Sequence, residues 1–418
     1  MSAFSHKPEA NVSTLGNGLR VITQTVPGLR TASVGVWVDV GARHEAREVN
    51  GVAHLLEHMA FKGTRRRSAQ VIAETIEDVG GHLNAYTSRE QTAYYARVMG
   101  EDVPLAIDLI ADILRDSVMD ESELARERTV VLQEIGQVND TPDDLVFDLF
   151  QETAYPDQAL GRSILGPPEL IRAMPREALL GYMARHYGPN RMILAAAGAI
   201  EHDQIVTLAE AQFGDLDARP SEPYEAARYV GGERRFERDL EQAHIILGYE
   251  ALPFDDDDFF ALQVFSAILG GGMSSRLFQE VREKRGLVYS VFSFTSAYAD
   301  TGLFGIYAGT GEDETAALMP VLRDELYKMA DKVSDAELAR ARAQLKASQM
   351  MALESCSALS EDLARQLLIY GEPMSTDETI ARIEAVDLEA LRRVGARLLQ
   401  AKPVLTAIGP LQNLPELA

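Results

Sequence analysis

Apolar and polar positions alternate from Ala32 to Asp39 (ASVGVWVD), the two-residue period of a strand. Arg20–Val26 is its expected neighbour in the sheet. Met192–Ile200 is the longest apolar run, and its length suits a buried strand. A helical period takes over in Gly51–Lys62, in Ala69–Val79 before the stop signal Gly80-Gly81, and in the longer segments Asp102–Arg115 and Glu121–Val138. Between them Leu83–Arg89 and Thr92–Met99 read as paired strands. The second half repeats the theme, with strands at Ala243–Glu250, Val288–Phe294 and Leu303–Ala308 and helices at Phe259–Ile268 and Glu314–Met329. Strands followed by long helices predict α+β layering.

The two halves also share residues. Glu123-Leu124-Ala125-Arg126 recurs 214 residues later as Glu337-Leu338-Ala339-Arg340, and Gly100-Glu101-Asp102 recurs 211 later as Gly311-Glu312-Asp313. Two matches in the same order at nearly equal offsets indicate a duplicated domain. Residues 1–215 are expected to form an N-terminal domain and 216–238 a polar, proline-containing linker. Residues 239–418 are then a C-terminal domain of the same fold. The expected fold is two similar α/β-sandwich domains.

Composition narrows the class. The 418 residues are 46% apolar and 25% charged, which suits a globular protein of two or three domains. Lys and Arg number 40 against 64 Asp and Glu, a net charge of −24 that argues against nucleic acid and anionic membrane as partners. The one cysteine, Cys356, excludes an internal disulfide and a Cys-rich zinc module, and fits a reducing compartment. The opening residues hold no apolar signal-type core, and no stretch of about 18 apolar residues exists. A cytoplasmic location without membrane insertion is expected.

Two of the eight histidines stand four apart in His54-Leu55-Leu56-Glu57-His58. On a helix His54, Glu57 and His58 share a face. Two neutral imidazoles at this spacing can bind one zinc ion, and the carboxylate beside them can reach a water on it. Composition alone gives such a motif about 0.01 times per chain of this size. It is the inverted zincin pattern, which needs a third protein ligand. Glu127 and Glu134 lie seven apart on one predicted helix face: one is the expected ligand and the other a supporting group, and spacing does not say which. In the second half the aligned positions are Leu262, Phe265, Ser266, Ala341 and Ser348, so the five candidates are lost together, as members of one unit would be.

His54–His58, with Glu134 following 76 residues after His58 in Glu127-Arg128-Thr129-Val130-Val131-Leu132-Gln133-Glu134, resembles the pitrilysin/insulinase zinc peptidases. The likeness is greatest to their short-subunit branch, which includes the catalytic subunit of mitochondrial processing peptidase and its bacterial relatives. It implies one Zn2+ per chain on His54, His58 and Glu134, Glu57 as general base and Glu127 as a group holding the ligands in place. It further implies that Leu83, Asn84, Ala85, Tyr86 and Thr87 form an edge strand that pairs with an extended substrate. Arg282 and Tyr289 match the family's arginine–tyrosine pair, suited to substrate carbonyls and a developing oxyanion. Asp144 and Asp148 match acidic positions that recognise a substrate arginine, with aspartate replacing glutamate at the first.

The resemblance thus implies a zinc metalloendopeptidase hydrolysing oligopeptides or unfolded, basic segments. It also implies two chains facing each other as clamshell halves around a closed chamber, and a homodimer is the expected form because this chain carries both halves of the machinery. The alternative is a non-catalytic scaffold or peptide-binding subunit of the same fold. Gly270-Gly271-Gly272-Met273 reads as a turn after a helix, and Asp255–Asp258 as a cap for the helix starting near Phe259.

Overall fold

The computed structural model describes residues 10–220 and 223–417. Residues 1–9, part of the opening segment read for a signal, lie outside the described residues, as do Ser221 and Glu222 of the expected linker. The first half opens with β1 (Asn11–Thr14), β2 (Arg20–Thr25), β3 (Thr31–Val38), α1 (Val52–Ala60), α2 (Ala69–Glu77), β4 (His82–Thr87) and β5 (Thr92–Met99). It continues with α3 (Val103–Arg115), α4 (Glu121–Asn139), α5 (Pro142–Ala154), α6 (Pro168–Ala173), α7 (Arg176–His186), β6 (Met192–Gly198) and α8 (His202–Phe213). The second half opens with β7 (Gly232–Glu237), β8 (Ala243–Ala251), α9 (Phe259–Gly270), β9 (Ser290–Ala297) and β10 (Gly302–Thr310). It ends with α10 (Thr315–Asp331), α11 (Asp335–Ala352), α12 (Cys356–Tyr370), α13 (Thr376–Ala385), α14 (Leu388–Gln400) and β11 (Val404–Gly409).

Among the described residues six strands form one sheet in the order β1-β2-β6-β3-β5-β4, and five form another in the order β7-β11-β8-β10-β9. From β2 onward the orders coincide. The senses coincide too: β2–β6 and β7–β11 are parallel, and the remaining matched pairs are antiparallel. The fold is a duplicated α+β layer structure.

One expectation is corrected. The segment at Arg20 does not lie beside β3, because β6 stands between them. β6 is MILAAAG, apolar on both faces and buried at every position, so it takes the interior place that β2 cannot.

The chain divides into two compact units. The first comprises the described residues of Met1–Ile135, with Ser163–Glu225 and Met351–Ser375; the second comprises Gly136–Arg162, Ala226–Met350 and Thr376–Ala418. Two helices thereby serve the unit of the opposite half. In the first unit one sheet face packs Val34, Val36, Tyr94 and Ala96 against α1, α3 and their neighbours. The other packs Ile22, Trp37, Ile193 and Ala195 against Leu359, Leu363 and Leu367 of α12. In the second unit Leu247, Phe304 and Ile306 face α9, α10 and α14. Ile246, Tyr307 and Ile408 face Val146 and Phe150 of α5.

The start of α1 is built tightly. Gly51 precedes it at φ +95°, where a Cβ would lie 2.6 Å from Ile171 and 2.7 Å from the Leu165 carbonyl, so a side chain is excluded both by conformation and by space. Buried Glu45 accepts from the N–H groups of Gly51 and Ala53, each at 2.8 Å, and from Asn50 Nδ2 at 2.7 Å. A carboxylate here satisfies donors that the first helical turn leaves unpaired and favours its positive end. At α9 the expected aspartate cap is absent: Asp258 makes no side-chain cap. Asp258 instead pairs with Arg393 at 2.8 Å and Asp256 with Arg397 at 2.7 Å, because the arginines of α14 offer a stronger, charged partner.

Candidate metal centre

α1 is amphipathic. Val52, Leu55, Leu56 and Met59 are buried, while His54, Glu57 and His58 form the half-buried stripe left over. α4 presents Glu127 and Glu134 two turns apart. Glu127 is buried at 5% exposure, and the Glu134 side chain is 38% exposed.

These side chains converge within the first unit. One ligand atom each from His54, His58 and Glu134 lies within 4.8 Å of the others. Glu134 Oε2 is 3.6 Å from His54 Nε2 and 3.5 Å from His58 Nε2. Those separations are too long for good hydrogen bonds, which prefer about 2.7–3.2 Å. They are close to the edge of about 3.4 Å expected between ligands of one tetrahedral ion with bonds near 2.0–2.2 Å. The donor set, two imidazoles and a carboxylate, is that of a zinc centre with one open position. Burial, reinforced by neighbouring His58, pushes His54 down to about 4, so its imidazole is neutral and its lone pair available at neutral pH.

The supporting contacts differ between the two histidines. His58 Nδ1 lies 3.0 Å from Glu127 Oε2, and Glu127 Oε1 is 2.8 Å from Lys62 Nζ. A proton on Nδ1 shared with Glu127 leaves Nε2 as the lone-pair nitrogen facing Glu134. His54 Nδ1 is buried and finds no such acceptor among the described residues. Glu57 Oε2 accepts a 2.6 Å hydrogen bond from Thr87 Oγ1. Burial raises the Glu57 carboxyl above its ordinary value, with the Thr87 bond and His58 opposing.

Leu83–Thr87 lie in β4, the last strand of its sheet, so among the described residues one side of the strand has no neighbouring strand. Between α2 and β4 opens a groove of about 320 Å³ lined by Phe61, Ile72, Ile76 and Leu83, with Lys62 and His82 also in its wall. The remaining candidates belong to the second unit. Arg282 lies in the short helical turn Phe278–Glu283, its guanidinium 5.8 Å from the centre of the Tyr289 ring. Arg282 is exposed, and Tyr289 is 74% exposed. Asp144 and Asp148 lie one turn apart on α5, exposed and half-buried respectively. Sequence reasoning missed Lys62, although it stands four residues after His58, and it missed Glu45, for which no local pattern exists.

Comparison with known proteins establishes the family. The profile of Insulinase (Peptidase family M16) matches residues 20–168, and that of the Peptidase M16 inactive domain matches residues 173–345. The chain is 43% identical to an uncharacterized zinc protease of Streptomyces coelicolor, over 96% of this chain and 90% of the relative. It is 42% identical to a probable mitochondrial-processing peptidase subunit beta of Arabidopsis thaliana, over 98% of this chain and 80% of the relative. The crystal structure of a protease from Helicobacter pylori superposes with a TM-score of 0.91 at 23% identity, covering 96% of this chain and 100% of that one, which bears on the fold. With two family profiles in tandem and homology along nearly its whole length, this chain belongs to the insulinase family of peptidases, family M16.

Proposed function

We propose that the chain is a zinc metalloendopeptidase that hydrolyses oligopeptides or unfolded segments. The observation that carries this reading is the convergence of His54, His58 and Glu134 beside a base-competent Glu57. The three residues would hold one zinc ion, which when bound supplies a Lewis acid to polarise the scissile carbonyl and acidify water. Glu57, raised by burial and aimed by Thr87, takes a proton from the attacking water and delivers it to the leaving amine. Glu127 and Lys62 keep His58 in its ligating tautomer. An extended substrate adds to the open side of β4, pairing with Leu83, Asn84, Ala85, Tyr86 and Thr87. The groove beside Phe61 and Leu83 takes an apolar side chain.

Arg282 and Tyr289 bind substrate carbonyls and the developing oxyanion, and Asp144 and Asp148 favour basic residues. The assembly in this reading is a homodimer around a closed chamber, in which one copy's Arg282 and Tyr289 serve the other copy's metal centre. Relatives named as beta subunits of a processing peptidase point to the competing assembly, a heterodimer with a related chain.

The test is zinc content together with cleavage of an arginine-containing peptide by the purified chain. The parent is expected to bind one zinc and cleave; Glu57→Gln is expected to keep the zinc and lose activity by at least about 100-fold. A fully active Glu57→Gln variant would sink the mechanism. Mixing inactive Glu57→Gln with impaired Tyr289→Phe chains should restore activity if the site is shared; no recovery after confirmed exchange refutes sharing of Arg282 and Tyr289 across the dimer.

A further inference from the structure

β4 sends its side chains to two faces. Leu83 and Ala85 pack on the α1 side, and Thr87, in phase with them, binds Glu57. Tyr86 goes the other way, into the aromatic layer beneath α12, with its ring centre 6.3 Å from that of Tyr95. Its hydroxyl accepts from Trp37 Nε1 at 3.2 Å and donates to Glu361 Oε1 at 3.0 Å. Trp37 is buried at 1% exposure and stacked near Tyr95. Glu361 stands on α12, which is itself seated by Leu359, Leu363 and Leu367 and by a 2.9 Å contact between the Ser360 and Ser33 hydroxyls. Both ends of this short chain of hydrogen bonds are therefore anchored.

An edge strand needs such an anchor. β4 has a ladder on one side, from β5, and among the described residues no strand on the other. A slip of one residue would exchange the faces of Tyr86 and Thr87, separating Thr87 from Glu57.

We propose that Glu361 is a positioning residue for peptide cleavage: through Tyr86 it fixes the register and twist of β4, so that the strand offers a prepared ladder to an extended substrate. Its carboxylate touches neither the ligands nor Glu57. This inference rests on the peptidase reading above, and the test separates the two.

The variants are Glu361→Ala, Glu361→Gln and Tyr86→Phe in the full chain. The single tryptophan, Trp37, reports the tether by fluorescence. Binding of a labelled arginine-containing peptide is measured by anisotropy in a Glu57→Gln background, and KM and kcat in the active one. Glu361→Ala and Tyr86→Phe should weaken peptide binding and raise KM about tenfold, the loss of one charge-assisted hydrogen bond, with kcat within about threefold. Glutamine still accepts from the Tyr86 hydroxyl, so Glu361→Gln should restore KM and Trp37 emission to near the parent values. Zinc content should be equal in all. A parent-like KM and Kd for Glu361→Ala overturns the proposal, even if Trp37 emission shifts. Equal damage from Glu361→Gln and Glu361→Ala overturns it as well, since the hydrogen bond would then not be the cause. A parent chain that cleaves nothing, alone or mixed with a related partner chain, refutes the peptidase reading instead, while anisotropy and fluorescence still report on the tether.

Discussion

α1 and α9 hold the same place in the order of elements of the two units, yet their side chains do opposite things. In α1 the stripe His54, Glu57, His58 stays half-buried and polar. At the aligned positions α9 carries Leu262 and Phe265, buried at 1% and 0% exposure, and Ser266. Phe265 meets the ring of Phe304 edge-on at 5.9 Å. On the paired long helices, Glu127 is aligned with Ala341 and Glu134 with Ser348. The same scaffold thus holds a stripe of titratable groups in one unit and a packed core in the other. A half-buried carboxylate and two imidazoles destabilise a helix–sheet interface relative to leucine and phenylalanine, so the first unit keeps them for a reason other than stability.

The contrast predicts unequal responses at one aligned position. Phe265→Ala should destabilise the second unit by about 3–5 kcal/mol, the usual loss when a buried aromatic leaves a cavity. Glu57→Gln should leave the first unit as stable or more so, because burial penalises the charged carboxylate while Thr87 can still donate to the glutamine oxygen. Amide exchange of β10 and β5 reads the two units separately. Equal losses at both positions would break the comparison.

Acid should separate the units next. His44 is pushed down to about 3 by burial, with Arg191, His186 and Arg43 adding positive charge around it. His186 is lowered to about 4 by burial and by Arg191 and Arg185. Both histidines lie in the first unit. A histidine whose folded pKa is depressed stays neutral in the fold while the unfolded chain takes up the proton near pH 6.5. Stability from it is therefore whole above about pH 6.5 and falls as the pH drops toward the folded value. For His44 alone the loss by pH 4 is on the order of 3 kcal/mol. Glu57, raised above its ordinary value, works in the opposite sense and trims the effect. In the second unit His244 is lowered as well, with Asp143 opposing. Emission of Trp37, in the first unit, should change between pH 6.5 and 4, before exchange of β10 amides accelerates. Coincident transitions would remove the distinction.

How much of this was legible in the chain depended on distance. Period and spacing lie within a few residues, so the strands at Ala32 and Thr92, the long helices and the shared face of His54, Glu57 and His58 could be read directly. Glu127 and Glu134 could be placed on one face, but their difference lies in which nitrogen of His58 each approaches: Nδ1 for Glu127, Nε2 for Glu134. No helix periodicity encodes that. The insertion of β6 between β2 and β3 joins segments more than 150 residues apart. The exchange of α5 and α12 between units is likewise non-local. Asp258 was misread because its preceding-helix position looks like a cap, whereas its partner Arg393 lies 135 residues on.

The smallest predicted effect concerns Lys62. Its ammonium lies 2.8 Å from Glu127 Oε1, while His58 contacts the other oxygen of that carboxylate, and its side chain is 31% exposed. Its position matters because Glu127 is buried and shares its helix face with a second carboxylate, Glu134, two turns on. A cation on Glu127 holds that side chain in place and leaves its other oxygen to His58. Lys62→Met should therefore weaken zinc binding by up to about tenfold, the low end of what losing a direct outer contact to a ligand costs, because it acts through Glu127, as read by competition with a chelator. Lys62→Arg should recover most of it, since a guanidinium also reaches a carboxylate. Full zinc affinity in Lys62→Met would show that Glu127 needs no counter-charge. The second unit sharpens the point: at the position aligned with Lys62 it has Gly270, and at that aligned with Glu127 it has Ala341. Where the carboxylate is gone the cation is gone with it, as expected if the lysine is there for the glutamate and not for the helix end.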